Sequence, residues 1–328
     1  MLKIVHLIDD QSPGGVTRYL DFIARHPGMA AMASHEILPV SRTRPARAGI
    51  EADIIVSHLT ITWRGLPGLT GLRALYPGTP LVHVEHSYCE RFAAANVQQR
   101  RRFQGLLRCG YALFDRVVAV SEAQGLWLAR SGVVPAGRLL VIPPCVELSS
   151  FAALAAPEGP VRRIGAIGRL DRQKGFDLLI AAFRDLPMPD VTLEIFGDGP
   201  ERAELERLAG DDSRITFHGH TAPEAALAAC DAVAMPSRWE PFGLVATEAM
   251  AGGRALLVST ADGMAGHAAD GAIQVPEFTS ACWTRAMSDL VTAATPAPRL
   301  DQDKAELRTL AGWMTLLDDL AAGSRKAA

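Results

Sequence analysis

Two glutamates, Glu240 and Glu248, stand eight residues apart in Pro236-Ser-Arg-Trp-Glu240-Pro-Phe-Gly243-Leu-Val-Ala-Thr-Glu248-Ala-Met-Ala-Gly252-Gly253. A carboxylate only accepts hydrogen bonds, so one placed beside free backbone amides suits a ligand carrying a vicinal diol. A second constellation is Gly168-Arg169-Leu-Asp-Arg-Gln-Lys174-Gly175. Arg169 can fork onto phosphate oxygens and Lys174 can supply a point charge. Lys3, Lys174, Lys304 and Lys326 are the chain's only lysines, so arginine is its default base and Lys174 stands out.

The elements that must carry these groups are legible nearby. Asp231 to Met235 is a short apolar run ending in Pro236, and Leu244 to Ala251 is a helix-forming stretch closed by two glycines. Strand, loop and helix follow. Glu240 then lies in a loop at a strand's carboxyl end, where open α/β sheets bind ligands, and Glu248 projects from the helix behind it. The amides of Phe242, Gly243 and Leu244 fall at the helix start, which favours an anionic or acceptor-rich ligand. Spacing alone fits an ordinary strand–helix unit with solvated glutamates equally well. Arg169 and Lys174 likewise sit between strand and helix, where surface bases are also common.

Four further groups lie at strand ends. Pro13-Gly14-Gly15-Val16-Thr17-Arg18 follows the first strand, and its glycines let backbone approach a ligand at a helix start. His83, Glu85 and His86 close another strand, with His83 and Glu85 on one face. Two histidines and a glutamate invite a metal, but no third ligand cluster accompanies them. Gly197-Asp198-Gly199-Pro200 and His218-Gly219-His220-Thr221 end two more strands. Asp301-Gln302-Asp303 lies in a polar approach to the last helix and reads as helix capping.

Short β-branched runs alternate with helical stretches along the whole chain, the pattern of doubly wound α/β domains. The runs are Lys3–Ile8, Asp53–Ser57, Leu81–Glu85, Val117–Val120 and Leu139–Ile142, then Arg163–Ile167, Thr192–Phe196, Ile215–Phe217, Ala232–Met235 and Ala255–Ser259. The segment from Pro143 to Pro160, rich in proline and small residues, reads as a linker. Two Rossmann-like domains, 1–150 and 151–303, are therefore expected to face each other across a ligand-binding cleft. A final helix, 304–328, follows, with Leu307, Leu310, Trp313, Leu316, Leu317 and Leu320 on or near one face and residues 294–301 as its approach.

At 328 residues, 48% hydrophobic and 21% charged, the chain suits two soluble globular domains, and it holds no 18-residue apolar run. The start, Met1 to Asp10, turns acidic too soon for a secretory signal and reads as a strand. Five scattered cysteines fit reduced thiols in a cytoplasm. Net charge is −3, yet residues 1–155 hold sixteen Lys/Arg against eleven Asp/Glu, or +5, which leaves −8 for the remainder. The densest basic part is Arg91 to Arg108, with Arg100, Arg101 and Arg102 beside Phe92, Phe103, Leu106 and Leu107. Such a helix can lie on an anionic membrane surface, clamp an acidic acceptor, or simply be a solvated basic face.

The Glu240 to Glu248 stretch resembles the Glu-x7-Glu motif of retaining, nucleotide-sugar-dependent glycosyltransferases of the GT-B fold, family 4. The resemblance implies that Glu240 contacts donor-sugar hydroxyls, that the amides of Phe242 to Leu244 hold the same sugar, and that Glu248 accepts from the ribose. Gly168 to Gly175 is similar to the family's Gly-Arg-x5-Lys-Gly element, which implies that Arg169 and Lys174 grip the donor diphosphate. By the same likeness Gly15 belongs to the diphosphate or acceptor side, His86 lies near the donor sugar, and His220 and Thr221 edge the base.

The resemblance is strong over the second domain and an outline over the first. Where the family has Pro-Asn-Gly-Val-Asp, this chain has Pro143-Pro144-Cys145-Val146-Glu147, and its Gly-Gly-x-x-Glu appears only as Gly263-Met-Ala-Gly266-His267. What the likeness implies is transfer of a sugar from a UDP- or GDP-linked donor to a saccharide or lipid-linked hydroxyl acceptor. It further implies no metal, no cofactor beyond the donor, and no nucleic acid. Cell-surface polysaccharide or glycolipid synthesis, in the cytoplasm or on the inner membrane face through Arg91–Arg108, is the expected setting. A nucleotide-sugar 2-epimerase of the same fold and a non-catalytic sugar-nucleotide-binding subunit are the alternatives.

Overall fold

The computed structural model describes residues 1–12, 14–293 and 299–327, without the side chains of 323–327. Pro13 of the glycine loop and residues 294–298 of the expected approach to the last helix lie outside the described residues. The chain divides into two compact units, Met1–Val146 with Asp303–Ala328, and Glu147–Gln302.

In the first unit the order is β1 (Lys3–Ile8), α1 (Gly15–Arg25), α2 (Pro27–Met32), β2 (Ser34–Pro39), β3 (Ile54–Ser57), α3 (Leu66–Leu75), β4 (Leu81–Glu85), α4 (Glu90–Asn96), α5 (Arg100–Tyr111), β5 (Arg116–Ala119), α6 (Glu122–Arg130) and β6 (Leu139–Val141). The second unit runs through α7 (Ser149–Ala152), β7 (Arg163–Ile167), α8 (Phe176–Arg184), β8 (Thr192–Phe196), α9 (Arg202–Ala209), β9 (Ile215–Gly219) and α10 (Pro223–Ala228). It continues with β10 (Ala232–Met235), α11 (Leu244–Ala251), β11 (Ala255–Ser259), helical turns at Asp262–Asp270, β12 (Ile273–Val275) and α12 (Ser280–Thr292); α13 (Gln302–Ala327) ends the chain.

Each unit is built on a six-stranded sheet, ordered β2-β1-β3-β4-β5-β6 and β12-β11-β10-β7-β8-β9. Every strand pairing is parallel. Parallel strands covered by helices on both faces read as continuous apolar runs, which is why Ala232–Met235 and Ile54–Ser57 are buried at every position. Two strands carry no such run. β2 and β12 are edge strands, and Ser, His and Glu in one and the three residues of the other gave no sequence signal.

Strand order reverses once in each sheet. In the second, β7, β8 and β9 step one way, after which the chain returns to the other side of β7 for β10. The loops after β7 and β10 therefore leave adjacent strands in opposite directions and open a crevice at the carboxyl end. The first sheet has the same reversal between β1 and β3.

Helix α13 belongs with the first unit. Trp313 is fully buried and its indole N–H donates to the Tyr19 hydroxyl at 3.0 Å. Thr309 donates to the Pro143 carbonyl at 2.7 Å, and Arg116 pairs with Asp319. Leu316 and Leu320 are buried as the apolar stripe predicts, whereas Leu307 is 62% exposed and lies off the packed face. Trp313→Ala should cost about 3–5 kcal/mol, because it empties a buried indole site and strands the Tyr19 hydroxyl. Urea unfolding checks this, and a loss below about 1 kcal/mol would show that the helix is not docked through Trp313.

Candidate active site

At the second sheet's reversal the loops after β7 and β10 are pressed together. Gly175 has φ +69°, and a Cβ there would lie 2.2 Å from the Pro236 carbonyl oxygen, so the contact requires glycine. The Arg238 amide donates to the Gln173 carbonyl at 2.7 Å. Its guanidinium donates to the Arg172 carbonyl and forks onto Asp177 at 2.8 and 2.6 Å while lying over the Phe278 ring. Burial pushes the Asp177 carboxyl up, but the Arg238 fork outweighs it and holds the group below its ordinary value.

Between the clamped loops Lys174 Nζ meets Glu240 Oε2 at 2.5 Å, with side chains 19% and 11% exposed. Arg169 stays in the open at 72% exposure, 3.7 Å from Asp171. The neighbouring loop after β8 is locked on as well. Gly197 has φ +132°, and a Cβ there would lie 1.9 Å from the Gly168 carbonyl oxygen. Leu170 donates to the Asp198 carbonyl at 3.0 Å, so the Gly-Asp-Gly element braces the Arg169 loop.

The Glu240 loop is held from behind by the turns after β11. The Gly263 amide donates to the Glu240 carbonyl at 2.9 Å, and His267 Nε2 contacts the Phe242 carbonyl at 2.8 Å. Among the described residues the amides of Phe242, Gly243 and Leu244 donate to no backbone carbonyl; the first donor of this turn is Ala246, to Gly243 at 2.9 Å. Glu248, on α11, is sunk to 1% exposure. His220 and Thr221 follow β9, separated from β7 by β8, and the Thr221 hydroxyl donates to the Gly219 carbonyl at 3.3 Å. The structure thus gathers Arg169, Lys174, Glu240, Phe242, Gly243 and Leu244 into touching loops and leaves His220 and Thr221 at the sheet edge.

In the first unit Gly15 opens α1, exposed, after a Gly14 whose amide is held by the Thr17 hydroxyl at 2.9 Å. His86 directly follows β4, and its Nε2 meets His58 Nδ1 at 2.9 Å. The row goes on from His58 Nε2 to His6 Nδ1 and from His6 Nε2 to His35 Nδ1, both at 3.0 Å. Burial pushes His6 down to about 3 and His86 down to about 4, and it lowers His58 and His35 too. His83 and Glu85 do share a face, at 3.4 Å, but Glu85 also accepts from the Ser87 and Tyr88 amides and from the Tyr111 hydroxyl. Burial pushes Glu85 up, yet His83, Tyr111 and the Ser87 amide together hold it below its ordinary value. That pair braces the core. No group of three or more His, Cys, Asp or Glu among the described residues is arranged to hold a metal ion.

Residues 10–150 match the family described as Glycosyltransferase Family 4, and residues 161–293 match Glycosyl transferases group 1. The D-inositol 3-phosphate glycosyltransferase of Arthrobacter sp. (strain FB24) is 30% identical over 82% of this chain and 69% of its own. The chain belongs to the family 4 glycosyltransferases. The glycogen synthase of Mycobacterium tuberculosis is 29% identical over 65% of this glycosyltransferase, which spans 51% of that protein's length. The crystal structure of Anabaena HepE in complex with UDP and glucose matches 98% of the chain and 100% of its own with a TM-score of 0.72 at 20% identity, which shows the GT-B fold.

The loop cluster depends on residues that spacing did not single out. Arg238 stood inside the glutamate motif, but its partner Asp177 is remote in sequence, and only the strand reversal joins them. His267, next to Gly266 in the segment that departs from the family's Gly-Gly-x-x-Glu, lies against the Phe242 carbonyl.

Two outcomes follow. A double-mutant cycle on Arg238 and Asp177 should give a coupling of roughly 1 kcal/mol, discounted because Asp177 is more than a third exposed; zero coupling would contradict the clamp. Acid should also destabilise the fold. The unfolded chain's histidines take up protons near 6.5, whereas in the folded row burial holds His86 to about 4 and His6 to about 3 and lowers His58 and His35 as well, so stability present above pH 6.5 is lost as pH falls toward 4. Urea unfolding between pH 5 and 6.5 should show stability rising with pH by more than about 1.4 kcal/mol per unit, the value for a single proton. A flat profile would show that the row is not buried and neutral.

Proposed function

We propose that the protein transfers a sugar, with retention, from a nucleotide-diphosphate sugar to a hydroxyl acceptor. The observation carrying this reading is the Lys174–Glu240 contact at the second sheet's reversal, with Arg169 exposed in the same loop. A leaving diphosphate gathers negative charge, and these two cations can offset it without a metal. In the free protein Glu240 neutralises Lys174. A bound diphosphate would draw the lysine onto its oxygens, freeing Glu240 to accept from sugar hydroxyls. The Phe242 to Leu244 amides are the matching donors for the sugar's oxygens, and Glu248 would accept from the ribose. Gly15 would line the diphosphate or acceptor side, His86 the sugar, and His220 with Thr221 the base.

UDP is the first nucleotide to test, because the fold is shared with a protein crystallised with UDP and glucose. Retention is read as same-face attack, the departing phosphate taking the acceptor's proton, rather than through a covalent sugar on Glu240. Glu240 is a hydroxyl ligand in this reading, and a trapped glycosyl-Glu240 adduct would overturn it.

The acceptor is proposed to be a saccharide or lipid-linked hydroxyl at an anionic inner membrane face. Supporting this, α5 turns Leu106 and Leu107 into the core and leaves Arg100, Arg101 and Arg102 outside, with Arg102 over the 45%-exposed Trp63. That makes the surface an electrostatic one rather than an inserted apolar face. Arg108 is occupied with the Gly132 carbonyl. No described helix is long and apolar enough to cross a membrane.

The test is to incubate the protein with UDP- and GDP-sugars and follow nucleotide release with and without lipid-linked and free saccharide acceptors. Acceptor-dependent release is expected, and Arg169→Ala and Lys174→Ala should each lower kcat about 10²- to 10³-fold. Release that needs no acceptor would indicate the 2-epimerase, and binding without turnover a non-catalytic subunit. If Arg169→Ala turned over at the wild-type rate, the diphosphate assignment would fail.

A further inference from the structure

Strands β2, β1, β3 and β4 lie side by side in that order, and each supplies one ring to the histidine row. His35 lies in β2 and His6 in β1, while His58 and His86 come one residue after β3 and β4. Every link joins an Nδ1 to an Nε2, at 3.0, 3.0 and 2.9 Å. Trp313 packs edge-on against His6 and His35, and Tyr19 against His58 and His86, so the row is walled by rings. His6 is fully buried and His58 is 6% exposed.

A neutral imidazole carries one N–H and one bare nitrogen. Three links need three protons and four rings bring four. If His35 donates from Nδ1, His6 accepts at Nε2 and must donate from Nδ1, and so on until His86 carries its own proton on Nδ1. If His6 donates from Nε2 instead, every ring is Nε2–H and His86 is left with a bare Nδ1. These are the only two arrangements that satisfy all three links with neutral rings. Any mixture puts two protons or none into a buried contact, and buried polar atoms left unpaired are costly.

We propose that His35, His6 and His58 are positioning residues that lock all four rings into one common tautomer, so that the state of His86 Nδ1 is set from three strands away. On the sugar-transfer reading, on which this clause alone rests, the shared tautomer decides whether His86 Nδ1 meets a ligand as a donor or as an acceptor.

Histidine-selective ¹⁵N NMR of the full chain at neutral pH tests the row without any substrate, so its outcome is separate from that of the transferase assay. The four rings, assigned by single substitutions, should all show the same tautomer. Unlike tautomers among the four would overturn the proposal. In a folded His35→Phe protein the first link of the row is gone, and the His86 signals should move away from the wild-type tautomer. If His35→Phe does not fold, His35→Asn places an amide near the Nδ1 position that can donate or accept, and His86 should then populate both tautomers. A merely structural role for His35 predicts an unchanged His86 tautomer in any folded variant, and that result would also overturn the proposal.

Discussion

The reversal of strand order between β7 and β10 is the constraint from which the second unit's chemistry follows. Two loops leaving neighbouring strands in opposite directions must part at their base, and the crevice is a place where backbone amides and side chains can meet a ligand. This chain narrows it. Gly175 admits the Pro236 carbonyl, Arg238 ties its own loop to Arg172, Gln173 and Asp177, and the result is Lys174 against Glu240. On the proposed reading, a ligand's phosphate would compete with a carboxylate already in place, and recognition would be an exchange of partners for the lysine.

The first unit uses the same reversal with different residues. Its β1 and β3 loops carry the Gly14–Gly15 turn and His58, and a line of neutral rings crosses the sheet beneath them. Burial keeps those rings uncharged, which suits a role in hydrogen-bond direction rather than proton storage. The last helix contributes too, since Trp313 covers His6 and His35 and also holds the Tyr19 hydroxyl. A residue far along the chain thus closes the environment of a strand near its start.

Much of this was legible in the sequence, for definite reasons. Continuous apolar runs marked ten strands because parallel strands are buried on both faces, and β2 and β12, both at sheet edges, escaped because neither carries such a run. Arg169, Lys174 and Glu240 could be picked because their types at strand ends imply anion and hydroxyl recognition. Their touching was not readable, since it depends on which strands are neighbours. His6, His35 and His58 were invisible for the same reason: each is an isolated histidine in its own strand until the order β2-β1-β3-β4 lines them up. His83 and Glu85 were seen as a pair, but only the Tyr111 hydroxyl and the Ser87 and Tyr88 amides reveal that the core uses them.

The central claim is that the loops after β7 and β10 form the donor site. Amide hydrogen exchange of the full-length protein with and without UDP tests it most directly. The account predicts slowed exchange in the segments 168–176 and 237–248 on adding the nucleotide, with the edge strand β12 unchanged. Saturating UDP that slows exchange elsewhere while leaving both loop segments untouched would contradict it.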